Sequence, residues 1–303
     1  MALYAGLILA TGCAERLGVA AIVRPIRLPV MGSPSQRFSD FTLHSGEVTL
    51  RGWLFQPEHA PKGLVVYLHG KDANRWGGDR AARHLVKEGF AVLAYDQRAH
   101  GASTGEFCTY GHYEVEDLKR ALDQVGITPV YVVGESMGAA VALQAATSEK
   151  RIRGVVAAAS FSDLETIVRE RAPFFFDEWQ IKEAIQAAER EAGFCFNEIS
   201  PERSAEALQV PVLLIHGDED GFTGLEHSRR ILKRLRHDKR LVIAVGVGHG
   251  DVLAHDALWE IITAWISGVA ASPRSVAGRQ STGVPSPSSE CRDCRDRPRA
   301  DAD

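Results

Sequence analysis

One serine in this chain stands between glycines, in Gly134-Glu135-Ser136-Met137-Gly138. Before it runs the apolar, β-rich Val130-Tyr131-Val132-Val133. After it comes the alanine-rich stretch from Ala139 to Ala146, which reads as helix. A G-x-S-x-G step between strand and helix is a nucleophile elbow. The sharp turn lifts Oγ clear of the strand, and glycines on either side remove side chains that would collide there. The residue after the serine opens the helix, so the Met137 N–H points to where an oxyanion would form. Such a serine needs a base, and the base needs an orienting carboxylate. His249 follows a strand-like run inside the glycine-rich loop Gly246-Val247-Gly248-His249-Gly250 and is the candidate base. Asp218, Glu219 and Asp220 follow another such run, after Ile215-His216-Gly217. Asp218 is placed to cap the turn, whereas Asp220 stands further out, before Gly221, and is chosen for the orienting role. A second oxyanion donor is expected from the loop Leu68-His69-Gly70-Lys71-Asp72, through the backbone N–H of Lys71. His69 is read as a structural hydrogen bonder rather than a base.

These groups must be carried by a scaffold, and the rest of the chain shows its rhythm. Residues 47–55 alternate apolar and polar, as in an antiparallel strand with one solvated face. Residues 63–68 and 90–95 are continuous apolar runs expected of buried strands, the first covered on both faces, and residues 130–133, 154–159, 210–215 and 240–245 read as further strands. Between them, residues 77–88, 113–125, 226–236 and 256–267 read as helices. This alternation predicts an α/β fold: a mostly parallel, doubly wound sheet with helices on both faces. Residues 163–208 break the rhythm, being helical in tendency and rich in aromatics: Phe174, Phe175, Phe176, Trp179, Phe194 and Phe196. They are expected to form a small helical cap over the carboxyl ends of the strands, where open α/β sheets bind ligands. The aromatics suggest an apolar pocket for an acyl or alcohol group.

The chain has 303 residues, 45% hydrophobic and 24% charged, within the range of one large α/β domain. A net charge of −4, with no basic stripe, excludes nucleic acid as an expected partner. Cys13, Cys108, Cys195, Cys291 and Cys294 are odd in number and widely spaced, so they imply no disulfide framework. Residues 270–303 turn to Ser, Pro, Gly, Arg and Asp and are expected to be disordered. Cys291 and Cys294 form a lone C-x-x-C within that tail, a weak zinc signal without a second pair. Residues 1–36 are set apart as an apolar N-terminal segment, and residues 37–269 as the catalytic domain. Met1 to Ala14 is apolar apart from Thr11, with Glu15-Arg16 following. Three readings fit it: a membrane anchor, a lipoprotein signal ending at Cys13, and a helix packed on the domain. Membrane association is favoured, with a cytoplasmic protein as the alternative; the oligomeric state is left open.

Taken in order, His69-Gly70, Asp96-Gln97-Arg98-Ala99-His100-Gly101-Ala102-Ser103, the serine elbow, His216-Gly217-Asp218-Glu219-Asp220 and Gly248-His249-Gly250 resemble the α/β-hydrolase superfamily. Within it the chain resembles bacterial serine hydrolases of the prolyl oligopeptidase-like and serine aminopeptidase-like branches, over about residues 37–267. The resemblance implies Ser136 as nucleophile, Asp220 as acid and His249 as base. It implies no metal or organic cofactor. Two departures stand out: Ala99 replaces a glycine of the family's D-x-R-G-H-G-x-S turn, and Gly221-Phe222-Thr223-Gly224 replaces an apolar-proline step after the acid. The expected reaction is hydrolysis of a small-molecule carboxylic ester or other acyl substrate. A peptidase or amidase, a thioesterase and a non-catalytic binding protein on the same scaffold are the alternatives.

Overall fold

The computed structural model describes residues 18–272. Of the tail expected to be disordered from 270, Ala270 and Ala271 are instead the last residues of a helix, and residues 273–303 with Cys291 and Cys294, like residues 1–17, lie outside the described residues. Among the described residues, eight strands form one sheet in the order β1-β2-β4-β3-β5-β6-β7-β8. They are β1 (Phe38–Ser45), β2 (Val48–Phe55), β3 (Leu64–Leu68), β4 (Ala91–Tyr95), β5 (Val130–Glu135), β6 (Ile152–Ala158), β7 (Val212–Gly217) and β8 (Lys239–Ala244). β2 pairs antiparallel with β1 and β4, and the strands from β4 through β3 to β8 run parallel. The predicted mostly parallel, doubly wound sheet is the architecture found.

The burial of each strand follows its composition. β3 and β4 are buried at every position, as uninterrupted apolar runs require when helices cover both faces. On one face lie α2 (Glu114–Val125), α3 (Met137–Ala145), α6 (Pro201–Ala207) and α7 (Leu225–Arg234), packed through Leu118, Leu122, Val141, Ala205 and Ile231. On the other lie α1 (Gly77–Leu85) and α8 (Asp256–Ala271), packed through Ala81, Leu85, Trp259 and Ile262. The order reverses between β3 and β5: β3 passes through α1 to β4 on one side, and β5 passes through α3 to β6 on the other. The carboxyl ends of β3 and β5 therefore open a crevice with no crossing connection, the place where such sheets bind ligands.

Of the expected cap, residues 163–200 lie after β6 with α4 (Leu164–Arg171) and α5 (Glu178–Ala192) as the long elements, whereas residues 201–208 belong to the sheet layer, since Ala205 and Leu208 pack into the core under α6. Asp177 caps α5 in a capping box with Gln180, and Gly193 ends it in the left-handed region. A third core lies between cap and sheet and includes Leu164, Ile167, Ile185, Ala188, Phe194, Phe196 and the elbow's Met137. The aromatic residues thus divide. Phe194 and Phe196 pack inside, while Phe174, Phe175 and Trp179 face solvent and line no enclosed pocket. Phe174, Phe175 and Trp179 therefore supply no walls to the expected apolar pocket, because the residues around them, Asp177 to Glu183, are largely polar and the buried face of α5 lies mainly in Ala184–Ala192.

Residues 18–23 are helical, and their Val19, Ile22 and Val23 belong to that third core. For these residues the packed-helix arrangement is the one found. The chain then runs as a strap over the sheet's carboxyl edge. The Tyr110 hydroxyl donates to Ile22 O at 2.5 Å, Cys108 N–H to Val23 O at 2.9 Å, and Arg24 pairs with Glu191 of α5 at 2.9 Å. Ile26 N–H donates to Asp72 Oδ1 at 2.7 Å, and Asn74 Nδ2 to Leu28 O at 3.1 Å. Among the described residues, no helix is long and apolar enough to cross a membrane.

Candidate active site

Ser136 sits between β5 and α3 with φ 51° and ψ −113°, a conformation that L-residues avoid. The two glycines make that turn sterically attainable. A Cβ on Gly134 would lie 2.3 Å from Gly138 O, and one on Gly138 would lie 2.2 Å from Leu68 O. The elbow is thus pressed against both its own helix and the end of β3. A Cβ on Gly70 would come within 3.3 Å of the Ser136 Cβ, so the Gly70-Lys71 backbone closes over the serine. Met137 is the first residue of α3, and its N–H has no carbonyl partner in its own helix.

The structure brings Ser136, His249 and Asp220 together. His249 Nε2 lies 3.0 Å from Ser136 Oγ, and Nδ1 lies 2.7 Å from Asp220 Oδ2. The carboxylate selects the tautomer with hydrogen on Nδ1, which leaves Nε2 as an acceptor for the serine hydroxyl. Asp220 itself is fixed from several sides. Its Oδ1 accepts the N–H groups of Phe222 at 2.9 Å and Thr223 at 2.7 Å. Its Oδ2 is also 3.3 Å from His216 Nε2. Burial works against the Asp220 charge, but the hydrogen bonds from His216, His249 and Thr223 outweigh it and hold the carboxyl well below the usual carboxylate range. The departure from an apolar-proline step is explained by these bonds: Phe222 and Thr223 each supply an N–H, which proline lacks. Asp218 accepts Gly246 N–H at 2.7 Å and so ties the acid loop to the loop before His249, beyond its own turn.

Lys71 and Asp72 stand at the carboxyl end of β3. Asp72 holds φ 62°, is bonded by Ile26 N–H, and lies 3.1 Å from Lys71 Nζ. Behind them, buried Asp96 accepts Arg75 N–H at 2.7 Å, Arg75 Nη1 at 2.6 Å and Ala102 N–H at 2.8 Å. Gly101 allows this, since a Cβ there would be 2.3 Å from Asp96 Oδ2. Ala99 takes φ 64° in the same turn, so the chain keeps the glycine conformation without the glycine. His69 is a structural hydrogen bonder: Nδ1 donates to Gly70 O at 2.7 Å, and Nε2 accepts Gln97 N–H at 2.9 Å. His100 packs edge-on against it, and burial pushes its pKa down to about 3, so it stays neutral.

One site feature escaped the sequence reading. Glu135 is partly buried, and its Oε1, shielded from solvent, has no hydrogen-bond partner among the described residues. Burial pushes its pKa up to about 7, with Asp251 and Asp220 adding to the effect. It lines a cleft of about 240 Å³ with Tyr67, Trp76, Arg80 and Leu253, on the side of the elbow away from the cap. Its position as the variable residue of G-x-S-x-G carries no signal of this burial. Among the described residues, no cluster of His, Cys, Asp and Glu is arranged to hold a metal ion.

Fold, motif order and comparison with known proteins agree on the fold of the α/β-hydrolases, and the chain is similar to members of that superfamily. Residues 59–187 match the family described as serine aminopeptidase, S33. The chain is 26% identical to the uncharacterized protein YqkD of Bacillus subtilis over 212 residues, 66% of this chain and 68% of that one. The esterase Pf2001 of Pyrococcus furiosus has a similar structure, with a TM-score of 0.67 and 24% identity over 81% of this chain and 99% of that one. Est1E of Butyrivibrio proteoclasticus, solved with ferulic acid bound, gives a TM-score of 0.63 and 21% identity over 77% of this chain and 100% of that one. These matches support hydrolase activity.

Proposed function

We propose that this chain hydrolyses carboxylic esters through a serine nucleophile and an acyl-enzyme intermediate. The observation that carries the reading is the line from Ser136 Oγ through His249 to Asp220, with contacts of 3.0 and 2.7 Å. His249 Nε2 takes the Ser136 proton as Oγ attacks the ester carbonyl. The backbone N–H groups of Lys71 and Met137 hold the tetrahedral oxyanion. His249 then returns the proton to the leaving alcohol. Water, deprotonated by the same nitrogen, attacks the acyl-serine and restores the enzyme with release of the acid. Asp220 stays ionised throughout and stabilises the imidazolium. Its low pKa supports that role. No step calls on a metal or organic cofactor.

Support for an ester over another acyl bond comes from the structural likeness to the Pyrococcus furiosus esterase. The serine aminopeptidase description of the matched family favours an amide as the second reading. A panel of p-nitrophenyl esters beside aminoacyl anilides separates them, with Ser136→Ala as the control. Ester turnover above anilide turnover, lost in the variant, is expected; the reverse preference establishes the peptidase. Labelling of the wild type by a fluorophosphonate, absent in Ser136→Ala, is expected of either enzyme. A wild type that takes no label is a binding protein.

A further inference from the structure

The loop that carries Asp220 does not hold its own shape. Between β7 and α7 the chain reads Asp218-Glu219-Asp220-Gly221-Phe222-Thr223-Gly224. A Cβ on Gly221 or Gly224 would meet no atom of the described residues within 4 Å, and neither glycine takes a positive φ. Unlike the glycines of the elbow, these two add backbone freedom that no close packing demands. Ordering such a segment costs conformational entropy, so contacts from outside it have to fix it.

From the sheet side the fastening is His216. Its Nε2 lies 2.6 Å from Thr223 O and 3.3 Å from Asp220 Oδ2, and its Nδ1 lies 2.7 Å from Ser228 Oγ. From the other side it is the cap, through the last two residues of α4. Arg171 Nη1 donates to Gly221 O at 3.1 Å, and its guanidinium lies 4.6 Å from the centre of the Phe222 ring. That ring stands 4.9 Å from the His249 ring, while the Phe222 N–H bonds to Asp220 Oδ1 at 2.9 Å. Phe222 thus meets the base with its side chain and the acid with its backbone, and Arg171 holds Phe222. Glu170 acts further along. Its Oε2 is 2.8 Å from Nε2 of His227, a buried residue in the first turn of α7. His227 Nδ1 accepts the Ser162 N–H at 3.1 Å, so the ring hydrogen sits on Nε2 and is donated to Glu170. Adjacent residues of one cap helix therefore grip the chain after Asp220 at two points, Gly221 and His227. Arg169, just before them, pairs with Glu165 at 2.7 Å and Glu178 at 2.6 Å, both within the cap. Arg169 ties cap to cap, whereas Glu170 and Arg171 tie cap to acid loop.

We propose that Glu170 and Arg171 are positioning residues for the hydrolytic reaction: they set the acid loop from the cap, so that Asp220 and Phe222 hold His249 against Ser136. Both act through the loop rather than on the reacting atoms. The cap then does more than roof the site. A movement of α4 is felt at the acid and the base, and the reactivity of Ser136 depends on the cap being seated. This rests on Ser136 being a nucleophile activated by His249, and is independent of which carbonyl it attacks.

The test reads serine activation directly, as the rate at which a short-chain fluorophosphonate labels the full chain. Arg171→Ala, and to a lesser degree Glu170→Ala, are expected to slow labelling, the former about tenfold or more, as a misplaced base does. Arg171→Lys keeps a cation for Phe222 and a donor for Gly221 O, and Glu170→Gln keeps an acceptor for His227. Both are expected to stay within about threefold of the wild type. Arg169→Ala, which loosens α4 without touching the acid loop, is expected to label at the wild-type rate. Circular dichroism and the melting temperature show that each variant is folded at the temperature of labelling. Wild-type rates in Arg171→Ala and Glu170→Ala overturn the proposal while leaving the nucleophile in place. Equal slowing by Arg169→Ala overturns it too, since the contacts would then serve only to keep the cap folded. A wild type that takes no label overturns the nucleophile reading, and the positioning with it.

Discussion

The carboxyl edge of the sheet and the outer loop of the cap lie a few residues apart around His249 and obey opposite rules. At the sheet edge nearly every residue is specified by something within the molecule. Gly134 and Gly138 are dictated by carbonyl oxygens close to their Cα atoms, Gly101 by the Asp96 carboxylate, and Asp220 by two N–H groups and two imidazoles. On the cap loop, Phe174 touches little but its neighbour Phe175. The contrast teaches that strain and burial collect where atoms must be held for chemistry, while a surface without internal constraints is free to be shaped by what lies outside the protein.

The sharpest break of this contrast is chemical. Ser136→Ala is expected to lower ester turnover about 10⁴-fold or more while leaving the melting temperature nearly unchanged, as read by steady-state kinetics beside calorimetry. Gly138→Ala acts on the fold itself. Its new methyl meets Leu68 O, so a loss of about 3 kcal/mol or more in urea unfolding is expected. Glu135→Gln sharpens the picture through pH. The Glu135 pKa is raised from its ordinary value to about 7, so the folded state holds that proton more tightly than the unfolded chain. The stability this confers is complete at acid pH and drains away as pH rises through about 7. The difference corresponds to about 3 kcal/mol at most. Glutamine titrates nowhere in this window, so the variant is expected to gain on the wild type between pH 5 and 8. Parallel pH profiles for the two proteins would contradict the burial assigned to this carboxyl.

Smaller effects separate the regions further. Ala99→Gly relieves a left-handed alanine and is expected to change stability by no more than about 1 kcal/mol, the eased strain set against a more flexible unfolded chain. Phe174→Ser on the cap loop is expected to leave unfolding within about 0.5 kcal/mol of wild type, because a fully exposed ring contributes no core packing. A larger loss would mean that this ring is covered within the protein, which would remove the distinction between the two regions.

How much of this was legible in the sequence depends on where each constraint comes from. The central parallel strands were readable because burial on both faces demands uninterrupted apolar runs, while the edge strand β8, largely exposed, was readable only from its short aliphatic run; the loops carrying Ser136, Asp220 and His249 were readable because glycines mark tight turns at strand ends. β1 was missed. In Phe38–Ser45 only alternate residues near its end, Phe41, Leu43 and Ser45, turn inward, and the polar residues between them resemble a loop. The division at residue 36 hid the strap, since Ile22, Val23, Ile26 and Leu28 are fastened largely through backbone groups that side-chain identity does not reveal. The burial of Glu135 was invisible for a different reason: it follows from how closely the turn bearing His249 folds back on the elbow, which is set by tertiary packing. The aromatics of residues 163–208 gave no sign of which would pack inside, because that depends on the side of α5 from which each approaches.

The strap also determines how the molecule bears a mechanical load. Tension drawn from residue 18 along the chain does not reach the sheet first. It meets the contact of Gly18 with α5, then the Arg24 bridge to Glu191, and then the bond from Ile26 to Asp72, one residue beyond the Lys71 amide. Anything that anchors the chain ahead of residue 18 and pulls on it therefore acts on the cap and on the loop closing over Ser136 before a single strand is disturbed. The strap thus ties whatever precedes residue 18 to the loop beside the nucleophile, with the eight-stranded sheet behind it as the base.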